Sequence, residues 1–276
     1  MTTMWIKDIA PEYHVTLSDI DYLARVLDIQ TWPTVLDVTP IHDTAVERAA
    51  AHASASRTLL DAGIMSRDAC STAGVTKPLA DALAVLANPE AVVELRRYGI
   101  EMSARMCLAR SGDRHVVAHR RPDGLTIRML GTVDASEVGP LIAAEFGPMS
   151  AADVQSISAP AAELRERLDR AATAADYADA LYAVGATHAD AARYAAAFES
   201  CVGHAEIIAR EAGPSENLRT SGAVAVYDTA RGRIVASPTM APDGRIWTTL
   251  SAGTPHRIAQ ATDLLMETLP TGRWMP

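Results

Sequence analysis

Apolar residues recur at helical spacing in three stretches that precede Ala91. These stretches are Ser18–Asp28, Asp43–Ala62 and Lys77–Leu86. Residues three and four positions apart share one face of a helix, so each stretch predicts a helix with one apolar side. Ser18 is a candidate N-cap for the first helix, and Gly63 can end the second in the left-handed conformation that glycine tolerates best.

From Ala91 onward the apolar spacing changes to two. In the segment 102–109 one set of residues alternates with a second: Met102, Ala104, Met106 and Leu108 with Ser103, Arg105, Cys107 and Ala109. This alternation predicts a strand with one buried face. Two further strands follow, HVVAHR and LTIRML, and the turns between them are short enough to join only antiparallel neighbours. The pattern predicts a meander, and Asp134 followed by Glu137 predicts a capping box that opens a helix to about Phe146.

A second copy of this unit lies near the end of the chain. Leu130 aligns with Leu250 and Val138 with Ile258, each pair 120 residues apart, and each copy contains an Asp-Gly turn. Asp-Gly is typical of hairpin tips, so its recurrence indicates a repeated fold and not a repeated active site. Before the second copy we expect helices at 161–183 and 187–202 and a strand at 205–211; its own strands lie at 222–228, 233–237 and 245–250. Thr254 and Pro255 predict the start of the last helix.

The repeat predicts an α+β fold made of two similar halves. We expect an N-terminal half at residues 1–150 and a C-terminal half at 151–276, together forming one continuous structural unit. The Ser-, Ala- and Pro-rich segment 148–160 is the predicted linker.

Composition and charge exclude several classes of protein. The net charge is −9, and no Lys/Arg run is long enough to follow a phosphate backbone, so we expect no nucleic-acid partner. No window approaches the roughly 20 apolar residues of a membrane span, and the N-terminal sequence does not resemble a signal peptide. Three widely spaced cysteines argue for a reducing compartment. We therefore expect a cytosolic protein.

The sequence offers little catalytic or metal-binding chemistry. His115 and His119 fall in a predicted strand, where four residues span about 13 Å, too far for one metal ion. We expect Cys107 to be a buried, unreactive thiol. Phosphate-binding and serine-hydrolase motifs are absent. We expect no cofactor, no metal and no enzymatic activity, with a scaffold or dimerisation module, or an enzyme of unrecognised type, as the alternatives.

One feature of the first meander admits two interpretations. Arginines lie in or beside these strands, interleaved with methionines: Arg105, Arg110, Arg120 and Arg128 with Met102, Met106 and Met129. Methionine repacks easily and arginine is enriched at interface hot spots, so a sheet face of this kind could bind protein. It could equally be a polar face opposite a core.

The C-terminal sequence carries a specific resemblance. The segment from Gly232 to Trp274 contains Ser237-Pro238, Asp243-Gly244-Arg245, Trp247-Thr248-Thr249-Leu250, Gly253-Thr254 and Leu269-Pro270. With the preceding AVAVYDTARGR, this block closely resembles the ending of the EspG family, the secretion-associated chaperones of mycobacterial type VII (ESX) systems.

The resemblance implies a fold and a role. EspG proteins are cytosolic and non-enzymatic, with a quasi-two-fold symmetric central β-sheet flanked by helical bundles. They bind PE–PPE heterodimers of their own ESX system at the tip of the PPE hairpin, keep the pair soluble and direct it for export. Because the internal repeat removes one motive for forming a two-fold dimer, we expect a monomer or weak dimer.

The resemblance also suggests where cargo would bind. In the family, cargo meets the central sheet and the C-terminal helical bundle, which here correspond to strands 102–110 and 125–130 and to helix 186–202. The candidate protein-binding residues are Met102, Arg105, Met106, Arg128, Thr187, His188, Phe198 and His204.

Overall fold

The computed structural model describes residues 11–39, 41–66, 74–99, 103–213 and 217–275. The chain divides into two compact units. The first comprises Met1–Glu94 and Ala104–Val133, and the second comprises Leu95–Ser103 and Asp134–Pro276. Each of these units is defined by its own compact packing. The halves 1–150 and 151–276 follow the internal repeat and stay a prediction.

The first unit packs helices against one face of an antiparallel sheet. Its strands are ordered β1-β5-β4-β3-β2. The elements are β1 (Glu12–Thr16), α1 (Leu17–Val26), a 3-10 turn (Thr34–Leu36), α2 (Ala45–Asp61), α3 (Lys77–Ala87), β2 (Ala91–Gly99), β3 (Ser103–Ser111), β4 (Arg114–Arg120) and β5 (Gly124–Leu130).

In the second unit the strands are ordered β2-β7-β9-β10-β11-β6, and a short strand β8 pairs with β7. Its elements are α4 (Ala135–Ala144), β6 (Ile157–Pro160), α5 (Ala161–Asp169), α6 (Ala174–Ala183), α7 (His188–Glu199), β7 (Cys201–Ala212), β8 (Asn217–Arg219), β9 (Val224–Thr229), β10 (Gly232–Met240), β11 (Ile246–Ala252) and α8 (Pro255–Met266).

The element order repeats, as the sequence repeat predicts. A strand, three α-helices, four strands and a closing helix run from β1 to α4, and again from β6 to α8; among the described residues the first copy adds the 3-10 turn and the second adds β8. Asp134 caps the first closing helix and Thr254 the second, at the predicted spacing. The predicted α+β class and the predicted meander of β3, β4 and β5 are confirmed.

Local hydrogen bonding sets where the helices begin. Asp134 and Glu137 form the predicted capping box. The prediction of Ser18 as the first N-cap is wrong, because the box is closed by Thr16 and Asp19 instead. Another capping box, at Thr173 and Asp176, starts a new helix, so the single helix predicted over 161–183 is two helices.

Two further predictions need correction. The segment 148–160 is not a free linker, because Ile157–Pro160 pairs with β11. Ala152 is buried, and its backbone amide donates a hydrogen bond to the Arg233 carbonyl. Strand β3 does not have one buried face. Met106, Cys107, Leu108 and Ala109 are all buried, so both faces are covered where one was predicted.

Each unit has its own apolar core. In the first, helix residues such as Leu23, Leu59 and Leu83 pack with Cys107 and Ile127 from the sheet. In the second, the core joins side chains from the three helices and from β10 and β11: Leu164, Leu181, Tyr194, Ile234 and Leu250. In each unit, therefore, a helical bundle is fixed to one sheet face.

Candidate protein-binding surface

The turn between α6 and α7 presents an exposed aromatic pair. The chain reverses at Gly185, whose φ of +97° favours glycine, and Thr187 then caps α7. The Thr187 Oγ accepts a hydrogen bond from the Asp190 amide at 3.1 Å and donates one to its carboxylate at 2.8 Å. This cap makes His188 the first residue of α7. Its ring stacks on Tyr182 with centroids 4.3 Å apart, and Tyr182 is 53% exposed.

Phe198 lies at the other end of α7 and belongs to an aromatic cluster. Its ring meets that of Tyr227 edge-on at 5.3 Å and lies 5.6 Å and 6.0 Å from those of Tyr177 and Tyr194. Burial raises the pKa of Tyr194 and of Tyr227. The Tyr194 hydroxyl donates to the carbonyl of Gln155 at 2.8 Å. Phe198 is half-buried, and this cluster fixes α7 on the sheet.

A second aromatic pair lies where β2 and β7 run side by side. His204 stacks on Tyr98 with ring centroids 4.9 Å apart. The strands approach closely because Gly203 has no side chain: a Cβ there would lie 2.9 Å from the Tyr98 carbonyl oxygen. Tyr98 and the neighbouring Val202 are 41% and 45% exposed. The end of β7 nearest α7 therefore also presents apolar surface.

We group the two aromatic pairs, at either end of α7, under the name α7 surface: Tyr182, His188, Tyr98, His204 and Val202. A helix of 12 residues separates them, which is roughly 18 Å of helix axis. Thr187, His188 and His204 were predicted from the sequence. Tyr98, Tyr182 and Val202 were not, although a tyrosine at the end of a strand or helix is a recognisable signal for an interface.

The candidates on the predicted first meander are not brought together in this way. Met102 lies outside the described residues. Arg105 and Met106 are consecutive in β3 and point to opposite faces. Arg105 forms an ion pair with Asp37 at 3.2 Å, whereas Met106 is buried. Arg128 is half-buried on β5, opposite Glu12 of β1.

The arginine-and-methionine face predicted from the sequence is therefore not one surface. Arg110 is buried, and its Nη1 donates to Glu90 at 2.7 Å and to the Gly112 carbonyl at 3.1 Å. A guanidinium with these partners fixes the β3–β4 turn in place and does not face an external partner.

The two described cysteines are not activated thiols, and the two candidate histidines form no metal site. Burial raises the pKa of the Cys107 thiol well above its ordinary value, with the Glu94 carboxylate adding to the effect. Burial also raises the pKa of Cys201, whose thiol donates to the Gly203 carbonyl. Both thiols are therefore protonated at neutral pH. His115 and His119 lie in β4, and within the described ranges no three His, Cys, Asp or Glu side chains are grouped to hold a metal.

The described helices are all too short or too polar to cross a bilayer.

Comparison with known proteins identifies the family. The EspG family profile matches residues 16–263, which is most of the chain. This chain belongs to the EspG family. It is 27% identical to the ESX-3 secretion-associated protein EspG3 of Mycolicibacterium smegmatis, over 92% of this chain and 86% of the relative. It is also 27% identical to the ESX-1 secretion-associated protein EspG1 of Mycobacterium tuberculosis, over 95% and 88%.

The fold is that of a solved member of the family. The structure of the type VII secretion system chaperone EspG5 of Mycobacterium tuberculosis, in complex with the PE25–PPE41 dimer, covers 96% of this chain. This chain in turn covers 99% of EspG5, with a TM-score of 0.79 and 18% sequence identity. The family predicted from the C-terminal motifs is confirmed.

Proposed function

We propose that this EspG-family protein is a chaperone of a type VII (ESX) secretion system that binds PE–PPE heterodimers. The observation that carries the proposal is the fold match along almost the whole chain to EspG5, which was solved with a PE–PPE dimer bound. Family membership and two relatives named as ESX secretion-associated proteins support the same role.

The finer proposal is that the protein binds the tip of the PPE subunit in the cytoplasm and keeps the pair soluble until export. An exposed apolar tip promotes aggregation unless another surface covers it. Covering it requires a broad, partly apolar surface and no reactive group. The two protonated thiols are consistent with a non-catalytic role.

We place the main cargo contacts on the α7 surface. Stacked Tyr–His pairs offer large, rigid, amphipathic contact area, and tyrosine is enriched at interface hot spots. Tyr182 and Tyr98 are exposed although each buries one ring face on a histidine. Thr187 contributes by fixing His188 at the start of α7, and Phe198 by anchoring the other end of that helix. Arg105 and Arg128 are proposed as secondary, polar contacts.

Co-purification tests the function directly. The protein would be expressed with a PE–PPE pair encoded beside it in its own genome and analysed by size-exclusion chromatography with light scattering. We expect a 1:1:1 complex, and PE–PPE alone should be less soluble. A PE–PPE pair from an unrelated ESX cluster serves as the matched control. Separate elution with every pair of the organism would contradict the proposal.

A further inference from the structure

A small polar pocket lies between the β10–β11 hairpin and α8, within the second unit. Its volume is about 140 Å³. Its walls are rich in hydroxyl groups and carry one cation: Ser237, Thr239, Thr249, Ser251, Arg257 and Gln260. None of the described residues that line it is acidic.

The strand register explains why the hydroxyls gather on one face. Ser237 of β10 is paired with Thr249 of β11, so their side chains project on the same side of the sheet. The neighbouring pair, Ala236 and Leu250, projects on the other side and belongs to the apolar core of the unit. This hairpin therefore has an apolar face and a face rich in hydroxyl groups. The Trp-Thr-Thr-Leu motif supplies one residue to each: Thr249 to the pocket and Leu250 to the core.

One hydroxyl in the pocket has no hydrogen-bond partner among the described residues. The Oγ of Ser237 is buried and makes no hydrogen bond to any of them. Thr249, by contrast, donates to Ser158 of β6 at 3.1 Å. A buried hydroxyl without a partner is unfavourable, and an acceptor placed in the pocket would remove that cost.

Arg257 supplies a positive charge, and the described residues that line the pocket provide no carboxylate to balance it. Its Nη1 donates to the side-chain oxygen of Gln260 at 3.0 Å, which orients the guanidinium along α8. Its backbone amide donates to the Thr254 cap, so the helix start is already satisfied by the chain itself. The remaining guanidinium donors are available to a ligand, and this planar group matches phosphate and carboxylate oxygens well.

We propose that this pocket binds a small tetrahedral oxyanion of the phosphate class. Arg257 would supply the charge, and Ser237 and Ser251 would donate from the sheet side. Waters in bulk liquid occupy about 30 Å³ each, so the cavity could hold several waters or one such anion. The arrangement of one cation, several hydroxyl donors and no acid favours the anion over water alone. The site is distinct from the α7 surface and does not depend on the proposed cargo.

The test is isothermal titration of inorganic phosphate into the full chain at constant ionic strength, in a buffer free of phosphate and sulfate. We expect saturable 1:1 binding. Arg257→Gln should weaken it at least tenfold and Ser237→Ala several-fold. Arg231→Gln, at an exposed arginine outside the pocket, is the matched control and should leave binding unchanged. Circular dichroism would establish that each variant is folded, and Ser237→Ala carries the test should Arg257→Gln unfold the chain.

Titration with acetate separates the two oxyanion classes. Acetate should bind more weakly than phosphate, because its two oxygens meet fewer of the donors. Equal or tighter binding of acetate would overturn the assignment to a tetrahedral anion. Absence of saturable phosphate binding, or equal loss in Arg231→Gln and Arg257→Gln, would overturn the site. Crystals soaked in phosphate that showed only waters in the pocket would do the same.

Discussion

Arg233 holds Phe146 through two different contacts. Its Nη2 donates to the Phe146 carbonyl at 2.9 Å, and its guanidinium carbon lies 5.3 Å from the centroid of the same residue's ring. The side chain is almost fully buried, and its Nε donates to Asp228 at 2.6 Å. Arg97 lies 5.3 Å from the same ring centroid and also reaches Asp228, at 3.3 Å. The end of α4 is thereby fixed to β9 and β10 within the second unit.

We predict that Arg233→Met destabilises the protein by about 3 kcal/mol, because removing one member of a buried ion pair leaves the other uncompensated. Arg97 remains to balance part of the Asp228 charge, which keeps the loss at the lower end of the usual range. Urea unfolding followed by circular dichroism measures the change. Arg231→Met, at an exposed position two residues earlier, should change stability by less than about 0.5 kcal/mol. Equal effects of the two variants would contradict the buried network.

We predict that Gly139→Ala destabilises the protein by about 1–3 kcal/mol, although alanine normally favours a helix over glycine. Gly139 lies in α4 where that helix meets α8. A Cβ there would lie 2.6 Å from the Ala259 carbonyl oxygen and 2.6 Å from an Asp263 carboxylate oxygen. The two helices would have to separate. Thermal unfolding measures the effect, and a gain in stability would show that the helix contact is not tight.

Asp263 gives a pH-dependent prediction. Burial raises its pKa, the Glu267 charge adds to the increase, and a backbone hydrogen bond from Gly139 opposes it. A raised pKa means that the folded protein binds the proton more tightly than the unfolded chain. Stability from this group is therefore greatest below the ordinary pKa of about 3.9 and is lost as pH rises through the folded value. Asp263→Asn should raise the melting temperature at pH 7, and the gain should vanish at acid pH.

The pKa of Asp243 is shifted in the opposite direction to that of Asp263. Hydrogen bonds from the backbone and side chain of Arg245 lower its pKa. Its contribution is present at neutral pH and is lost as pH falls through the lowered value. Asp243→Asn should thus slightly lower the melting temperature at neutral pH. If the melting temperatures of Asp263→Asn and Asp243→Asn changed with pH in the same way, both assigned pKa shifts would be contradicted.

The helix starts illustrate what the sequence could establish. Thr254-Pro255 and Asp134 with Glu137 were predicted and are found, because capping is a local interaction over three or four residues. The break at Thr173 was missed because an Ala-rich stretch favours helix on both sides. Only the competing capping box decides where the second helix begins.

The binding surface was less predictable because it depends on contacts between residues that are far apart in the chain. Thr187 and His188 lie next to one another in the sequence and were proposed together. The stacking of His204 on Tyr98 joins residues far apart in the chain and depends on how β2 pairs with β7. Likewise the alternation in β3 indicates a strand but does not reveal that both its faces are buried, since that depends on what packs above and below the sheet.

We predict that Tyr182→Ala weakens the complex with PE–PPE by roughly tenfold, because removing an exposed aromatic anchor typically costs 1–2 kcal/mol of binding free energy. His188→Ala should have a smaller effect in the same direction, since it removes the support for the Tyr182 ring. Biolayer interferometry with immobilised PE–PPE measures both. Val46→Ala, at an 80% exposed position in α2 of the first unit, is the control and should bind normally. Wild-type affinity of Tyr182→Ala would remove the α6–α7 turn from the interface.

Arg128 tests whether the first-unit sheet contributes to binding. We predict that Arg128→Glu weakens the complex several-fold without unfolding the protein, and that Arg128→Gln weakens it less. The reversal also places two carboxylates opposite each other, since Glu12 is the cross-strand partner of Arg128, and this costs up to about 1 kcal/mol of stability. The neutral variant lacks that repulsion, so comparing the two by affinity and by thermal unfolding separates the loss of a cargo contact from a change in stability. Unchanged affinity in both variants would exclude β5 from the interface and leave the α7 surface as the proposed site.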